Sequence, residues 1–268
     1  MTASAISPRT VLEAFLSPTA EAALADIYDT ANLAGLADQP VRLAIRRLVS
    51  RGDAVQTGRG RAGSLRLTNA GHRRLERDRQ GLRLAFAQDA GDAPWDGHWR
   101  LLAITVPERE RTIRDTVRRS LLELGAVAVS TGLYVSPHDL VPELPDAPRP
   151  SLTTATTSDL CVQGVVSPRE IAEALWPSEP ILAAYSRVEE HLLQDEVHPA
   201  GPATVRLLEL ADALDRALRH DPLLPPELRP APWGPSGVRA AWADRWRVLS
   251  AETHSPLYAG WLPPISPS

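Results

Sequence analysis

Apolar residues recur at helical spacing three times before residue 50. Ser7 and Pro8, a cap followed by a first-turn proline, open a helix whose Val11, Leu12, Phe15 and Leu16 lie on one side. Thr19 to Asn32 predicts a second helix, with Thr19 as its cap and Leu24, Ile27 and Tyr28 as its inward stripe. After a turn at Gly35, Asp38 caps a third helix that tolerates Pro40 in its first turn. Its Val41, Ala44, Ile45, Leu48 and Val49 follow the i, i+3, i+4, i+7 rule. The period then falls to two: DAVQT and SLRLT alternate on either side of the glycine-rich GRGRAG, which signals a β-hairpin. A further helix, GHRRLERDRQGLRLAFAQ, leads away until Gly91, Asp92 and Pro94 break the pattern.

Beyond that break the chain changes grammar. WRLLAITV is an apolar run of strand length ended by Pro107, and Ile113, Val117, Leu121 and Leu124 then recur at helical spacing until Gly125. AVAVS and GLYVSP make a second hairpin, and DLCVQGVV, Asp159 to Val166, would supply the returning strand of a ferredoxin-like sandwich. Pro142 to Pro150 reads as an exposed loop. From Pro168 onward helical patterns cover 169–175, 180–193, 202–218 and 237–249, and Trp176, Trp233, Trp242, Trp246 and Trp261 place five of the seven tryptophans there. These are expected as core or interface anchors, the alternative being a face for a flat acyl or aromatic ligand. The expected class is α+β: an N-terminal winged helix-turn-helix with its linker helix (1–90), a central ferredoxin-like α/β sandwich (91–167) and a C-terminal helical domain (168–268).

Charge turns this layout towards a function. The 268 residues carry a net charge of −4, and all 29 basic side chains are arginine. Asp38 to Arg83 holds 12 of them against 4 acids (+8), while the remainder holds 17 against 29 (−12). A basic module therefore sits in an acidic chain. Gln39, Arg42 and Arg46 line the exposed side of the third helix, with Arg47 beside them. In a winged helix this element enters the major groove, where arginine can bond O6 and N7 of guanine and glutamine can read adenine. Arg59 and Arg61 at the hairpin tip would reach phosphates or the minor groove, and Arg66 the nearby backbone. The alternatives are a solvated helix surface and a winged helix that binds protein.

Three stretches, VRLAIRRLVSRGD with RLTNAG, WDGHWRLLAITVPERER through GLYVSPH, and DPLLPPELRPAPWGPSGVRAAWADRW, resemble the phenylacetate-degradation repressors of the PaaX type over nearly the whole chain. The resemblance implies a cytoplasmic bacterial regulator with an acyl-CoA effector such as phenylacetyl-CoA. An activator or dual regulator of the same fold would look identical. The central domain of that family is similar to small CRISPR-associated nucleases that hold a metal on an aspartate at the end of the first strand. Here the position two before Pro107 is Thr105, a poor Mg²⁺ ligand.

Other chemistry finds little support. His191 and His198, seven apart, share one face of a predicted helix with Asp195 and Glu196 nearby, but HxxxH spacing and a third fixed ligand are missing. Cys161 reads as a small core residue within its strand, and a lone cysteine forms no internal disulfide, so a reducing cytoplasm is expected. No P-loop, dinucleotide fingerprint, leader or membrane span is visible. The expected partners are double-stranded DNA bearing a palindromic operator, a second copy of the chain and a small-molecule effector whose binding residues are unknown. No cofactor, metal or catalytic group is expected.

Overall fold

The computed structural model describes residues 6–17, 19–106, 110–144, 151–253 and 257–258, the side chain of Asp78 excepted. The fold is α+β, with helices and two small antiparallel sheets. It divides into two compact units. One comprises Met1–Arg83, Leu182–Arg219 and Gly234–Ser268, and the other Leu84–Ile181 and His220–Trp233. These units cut across the three sequential stretches expected above.

In the first unit α1 (Pro8–Phe15) begins as the sequence requires, with the Ser7 side chain accepting from the Thr10 amide. The second helix, α2, runs Leu24–Leu33, and Thr19 does not cap it. Ala22 and Ala23 form β1 instead, because their backbone pairs with Leu65 and Ser64 of β3 (Ser64–Leu67). The third helix, α3, is Asp38–Ser50, with Ala37 as cap and Asp38 already helical. Val41 and Ile45 are buried and Ala44 and Leu48 half-buried, whereas Val49 is exposed. β2 (Ala54–Thr57) pairs with β3 around a short 3-10 turn, Gly60–Ala62, and α4 (Asn69–Ala90) follows.

In the second unit β4 (Trp99–Ile104), α5 (Arg111–Glu123), β5 (Val127–Ser130) and β6 (Leu133–Ser136) fall where the pattern put them. The returning strand does not. β7 is Leu152–Thr157, and the sheet order is β5-β6-β4-β7 with every neighbour antiparallel. Asp159–Val166 instead makes a tight turn closed by Val162 and Val165, with Gln163 and Gly164 at positive φ. Cys161 is consequently exposed rather than in a core. Pro107 and most of the Pro142–Pro150 loop lie outside the described residues.

The apolar run of β4 is explained by burial on both faces. Trp99 and Leu101 pack with Val135 and with Ile171, Ala172 and Trp176 of α6 (Pro168–Leu175) and its end, while Leu102 and Ile104 pack with Val117 and Leu121 of α5. Trp99 and Trp176 stack 6.2 Å apart, and Trp176 Nε1 donates to the Gly125 carbonyl at 2.8 Å.

Helices α7 (Ser178–Val197), α8 (Ala203–Leu218) and α9 (Gly234–Glu252) follow. Trp242 donates through Nε1 to the Leu210 carbonyl at 2.8 Å and stacks on Trp246, so both tryptophans serve packing; Trp261 lies outside the described residues. The Ser7 amide and Thr10 hydroxyl both donate to Asp212 of α8, tying the first helix to the C-terminal part of the chain. Asp195 of α7 accepts from Arg206 of α8 and from Arg245 of α9. Burial pushes the Asp195 carboxyl up, but the hydrogen bonds from Arg206 and Arg245 outweigh it and hold the group below its ordinary range.

Removing the anion at the centre of this triad leaves the buried Arg206 and the half-buried Arg245 uncompensated, so Asp195→Ala is expected to cost about 3–5 kcal/mol of stability. Because the folded carboxyl is depressed, its contribution is complete above the ordinary carboxylate pKa of about 3.9 and is lost as pH falls through the lower folded value. Urea titrations of the wild type and the variant should therefore converge towards acid pH. Parallel curves over that range would exclude the triad as a stabilising device.

Candidate nucleic-acid interface

The end of α3, the start of β2 and the start of α4 meet at one buried acid. Asp53 is 7% exposed, and its carboxylate accepts from Arg51 Nε at 2.8 Å and from Arg74 Nη1 at 3.3 Å. Its carbonyl accepts the Thr68 amide at 3.0 Å, and the Thr68 hydroxyl accepts the Gly71 amide at 3.0 Å as a helix cap. Gly71 lies so close that a Cβ there would stand 1.8 Å from the Asp53 oxygen. The VRLAIRRLVSRGD and RLTNAG stretches are thus two halves of one contact. Sequence reading missed this role of Asp53, Thr68 and Gly71; the Thr-x-x-Gly spacing at a helix start was the available signal.

That junction fixes the rotation of α3 and so the fate of its arginines. Arg42, Arg46 and Arg47 are exposed, and their guanidinium groups have no ionic or hydrogen-bond partner among the described residues. Arg42 and Arg46, four residues apart, form one exposed row. Gln39, Leu43, Arg47 and Arg51 form the next row, and this one lines a groove of about 650 Å³ together with α1 and the start of α4. Arg47 therefore sits one row away from Arg46 at the mouth of an apolar groove.

The hairpin arginines divide. Arg59 is exposed and has no partner among the described residues. Arg61 instead pairs with Asp29 of α2, lies 3.8 Å from Asp38 and stands over the Tyr28 ring at 5.6 Å. The hydrogen bond to Asp29 raises its pKa. Arg61 thus holds the tip against α2 instead of reaching outward. Arg66 lies 3.7 Å from Glu21 and stays largely exposed. On α4, Arg73 and Arg77 are exposed and without a partner among the described residues, whereas Arg83 pairs with Glu76.

Elsewhere, the Thr105 hydroxyl donates to the Ser151 carbonyl at 3.2 Å, so the side chain at the nuclease-like position is engaged with backbone beside β7. His191 lies within α7, while His198 falls just past its end. The described residues contain no cluster of three or more His, Cys, Asp or Glu able to hold a metal, and no described helix is long and apolar enough to cross a membrane.

Residues 92–157 match the model of the PaaX protein central Cas2-like domain, which bears out the PaaX-type resemblance over that stretch. Among solved structures, the fold is similar to the uncharacterized protein Rv0674 from Mycobacterium tuberculosis, with a TM-score of 0.56 and 24% identity over 93% of this chain and 97% of that one. No curated protein matches.

Because no side chain fits between Gly71 and Asp53, Gly71→Ala must displace α4 from β2. The expected loss is about 3 kcal/mol or more in urea denaturation. A change below about 1 kcal/mol would mean that the junction yields freely and does not fix α3.

Proposed function

We propose that this chain, whose residues 92–157 match a PaaX-type central domain, is a cytoplasmic DNA-binding transcriptional regulator. The observation that carries the reading is the row formed by Arg42 and Arg46: guanidinium groups without counter-charge among the described residues, on the exposed side of a helix whose opposite side is buried in a core. An unmatched arginine row on a rigid helix suits bidentate contact with guanine edges.

The order α1, α2, α3, β2, β3 supports a winged helix-turn-helix in which α3 is the recognition helix. Arg59 at the hairpin tip supplies phosphate contact, and Gln39 and Arg47 contribute from the groove side of α3. Arg61 and Arg66 act through the carboxylates that hold them, ordering the hairpin and adding to the local positive field. The antiparallel order β5-β6-β4-β7 favours the ferredoxin-like description of the central sheet. We assign the protein as a repressor that binds a palindromic operator as a homodimer, since one helix reads only a few base pairs and two half-sites multiply the specificity. A small acyl-CoA-like effector releases it. No catalytic role is assigned.

A gel shift on fragments from upstream of its own gene tests the reading directly. Arg42→Ala or Arg46→Ala should cost about 1–3 kcal/mol of operator binding and relax discrimination at particular base pairs. Equal losses on operator and random DNA would remove the base-reading role from whichever residue showed them.

Arg59→Ala should weaken operator and random DNA by similar factors and flatten the plot of log K against log salt by about 0.9. An unchanged slope would leave the tip outside the interface.

A further inference from the structure

The groove beside α3 runs between α1, α3 and the start of α4, and its apolar floor has no part in the proposed DNA contacts. Its volume of about 650 Å³ lies within the range of roughly 300–1,000 Å³ typical of small-molecule sites. Leu12 and Leu16 of α1, Leu43 and Leu48 of α3, Leu67 of β3 and Leu75 of α4 make its walls. None of the described lining residues is aromatic, so it offers no stacking ledge for a flat ring; branched aliphatic walls fit a flexible chain.

Its rim is positively charged. Arg9, Arg47, Arg51 and Arg74 line it against Glu13 and Asp53, a formal excess of +2 (four arginines less two acids). Glu13 is engaged by Arg9, and the single carboxylate of Asp53 serves both Arg51 and Arg74. Arg47 has no counter-charge among the described residues. A cation above an apolar floor attracts an anion more strongly than one in open water.

We propose that this groove binds an amphipathic acyl anion, its aliphatic chain along the leucines and its charged head at Arg47 and the Arg51–Arg74 pair. The head can be the carboxylate of a free acid or the phosphates of a thioester-linked carrier. Gln39, Leu43 and Arg47 belong to α3, so a ligand seated here withdraws Arg47 and crowds the helix assigned to the major groove. That consequence rests on the regulator reading, whereas ligand binding itself does not.

The test uses the full chain without DNA, titrated calorimetrically with decanoate and decanoyl-CoA below their micellar concentrations and with decan-1-ol below its solubility limit. Decanoate or decanoyl-CoA should bind saturably at one site, and the tighter of the two names the source of the head. Decan-1-ol should bind at least about tenfold more weakly than the better anion, the loss expected for one charge-assisted hydrogen bond. Arg47→Gln, which removes no internal pair, should weaken the anion about tenfold and leave the alcohol unchanged. Leu43→Glu, at a half-exposed helical position, should abolish anion binding with unaltered circular dichroism. Absence of saturable binding by either anion, or binding indifferent to both substitutions, overturns the proposal. So does a Leu43→Glu protein that merely changes its oligomeric state, which would assign the groove to a second copy of the chain. Repeating the titration on operator DNA separates the two readings: anion binding by a chain that never binds DNA supports the groove and sinks the regulator, and DNA binding without anion binding does the reverse.

Discussion

The backbone of Asp53 is the point on which the arrangement of the basic unit depends. Three elements converge there: α3 delivers Asp53 through the turn at Gly52, β2 starts from it, and α4 lies so close that only a glycine fits at position 71. The Asp53 carboxylate is buried, and burying a lone anion costs several kcal/mol, so the flanking Arg51 and Arg74 are a condition of the packing rather than surface decoration. With that junction fixed, the rows of α3 are fixed as well: Val41 and Ile45 inward, Arg42 and Arg46 outward, Gln39, Leu43 and Arg47 over the groove.

Charge is then sorted by partner. Of the twelve arginines between Asp38 and Arg83, the acids Asp29, Asp38, Glu21, Asp53 and Glu76 engage Arg51, Arg61, Arg66, Arg74, Arg79 and Arg83. Arg42, Arg46, Arg47, Arg59, Arg73 and Arg77 remain unmatched among the described residues. A solvated helix surface interleaves both signs, as i, i+4 pairs on exposed faces do. Helix α3 has no such pair, and the proposed function uses its unmatched guanidinium groups to meet an anionic polymer whose binding releases counterions.

Much of this was legible because helices and hairpins write their period into the sequence. The termini of α1, α3 and α4, both hairpins and the four C-terminal helices lie within a few residues of where the spacing put them. Two of the failures come from long-range pairing that overrode local pattern. Ala22 and Ala23 leave the expected second helix because β3 offers them a ladder. LTTATT at 152–157 becomes a strand without an apolar stripe because it is a sheet edge paired only with β4, while the more apolar DLCVQGVV carries Gln163 and Gly164 at positive φ and turns instead. Arg61 illustrates the same limit for the site. Its spacing at a glycine-rich tip matches that of Arg59, and the approach of Asp29, thirty-two positions away, with Asp38 and the Tyr28 ring, separates their roles.

In the proposed function, α3 reads base edges in the major groove through Arg42 and Arg46, which have no counter-charge among the described residues. Guanine N7 methylation interference on the fragment upstream of its own gene tests it most directly, since the modified atom is the acceptor such an arginine needs. Interference is predicted at guanines in two half-sites about ten base pairs apart, centre to centre, on the face presented by successive major grooves. Binding that tolerates N7 methylation at every guanine would contradict the account.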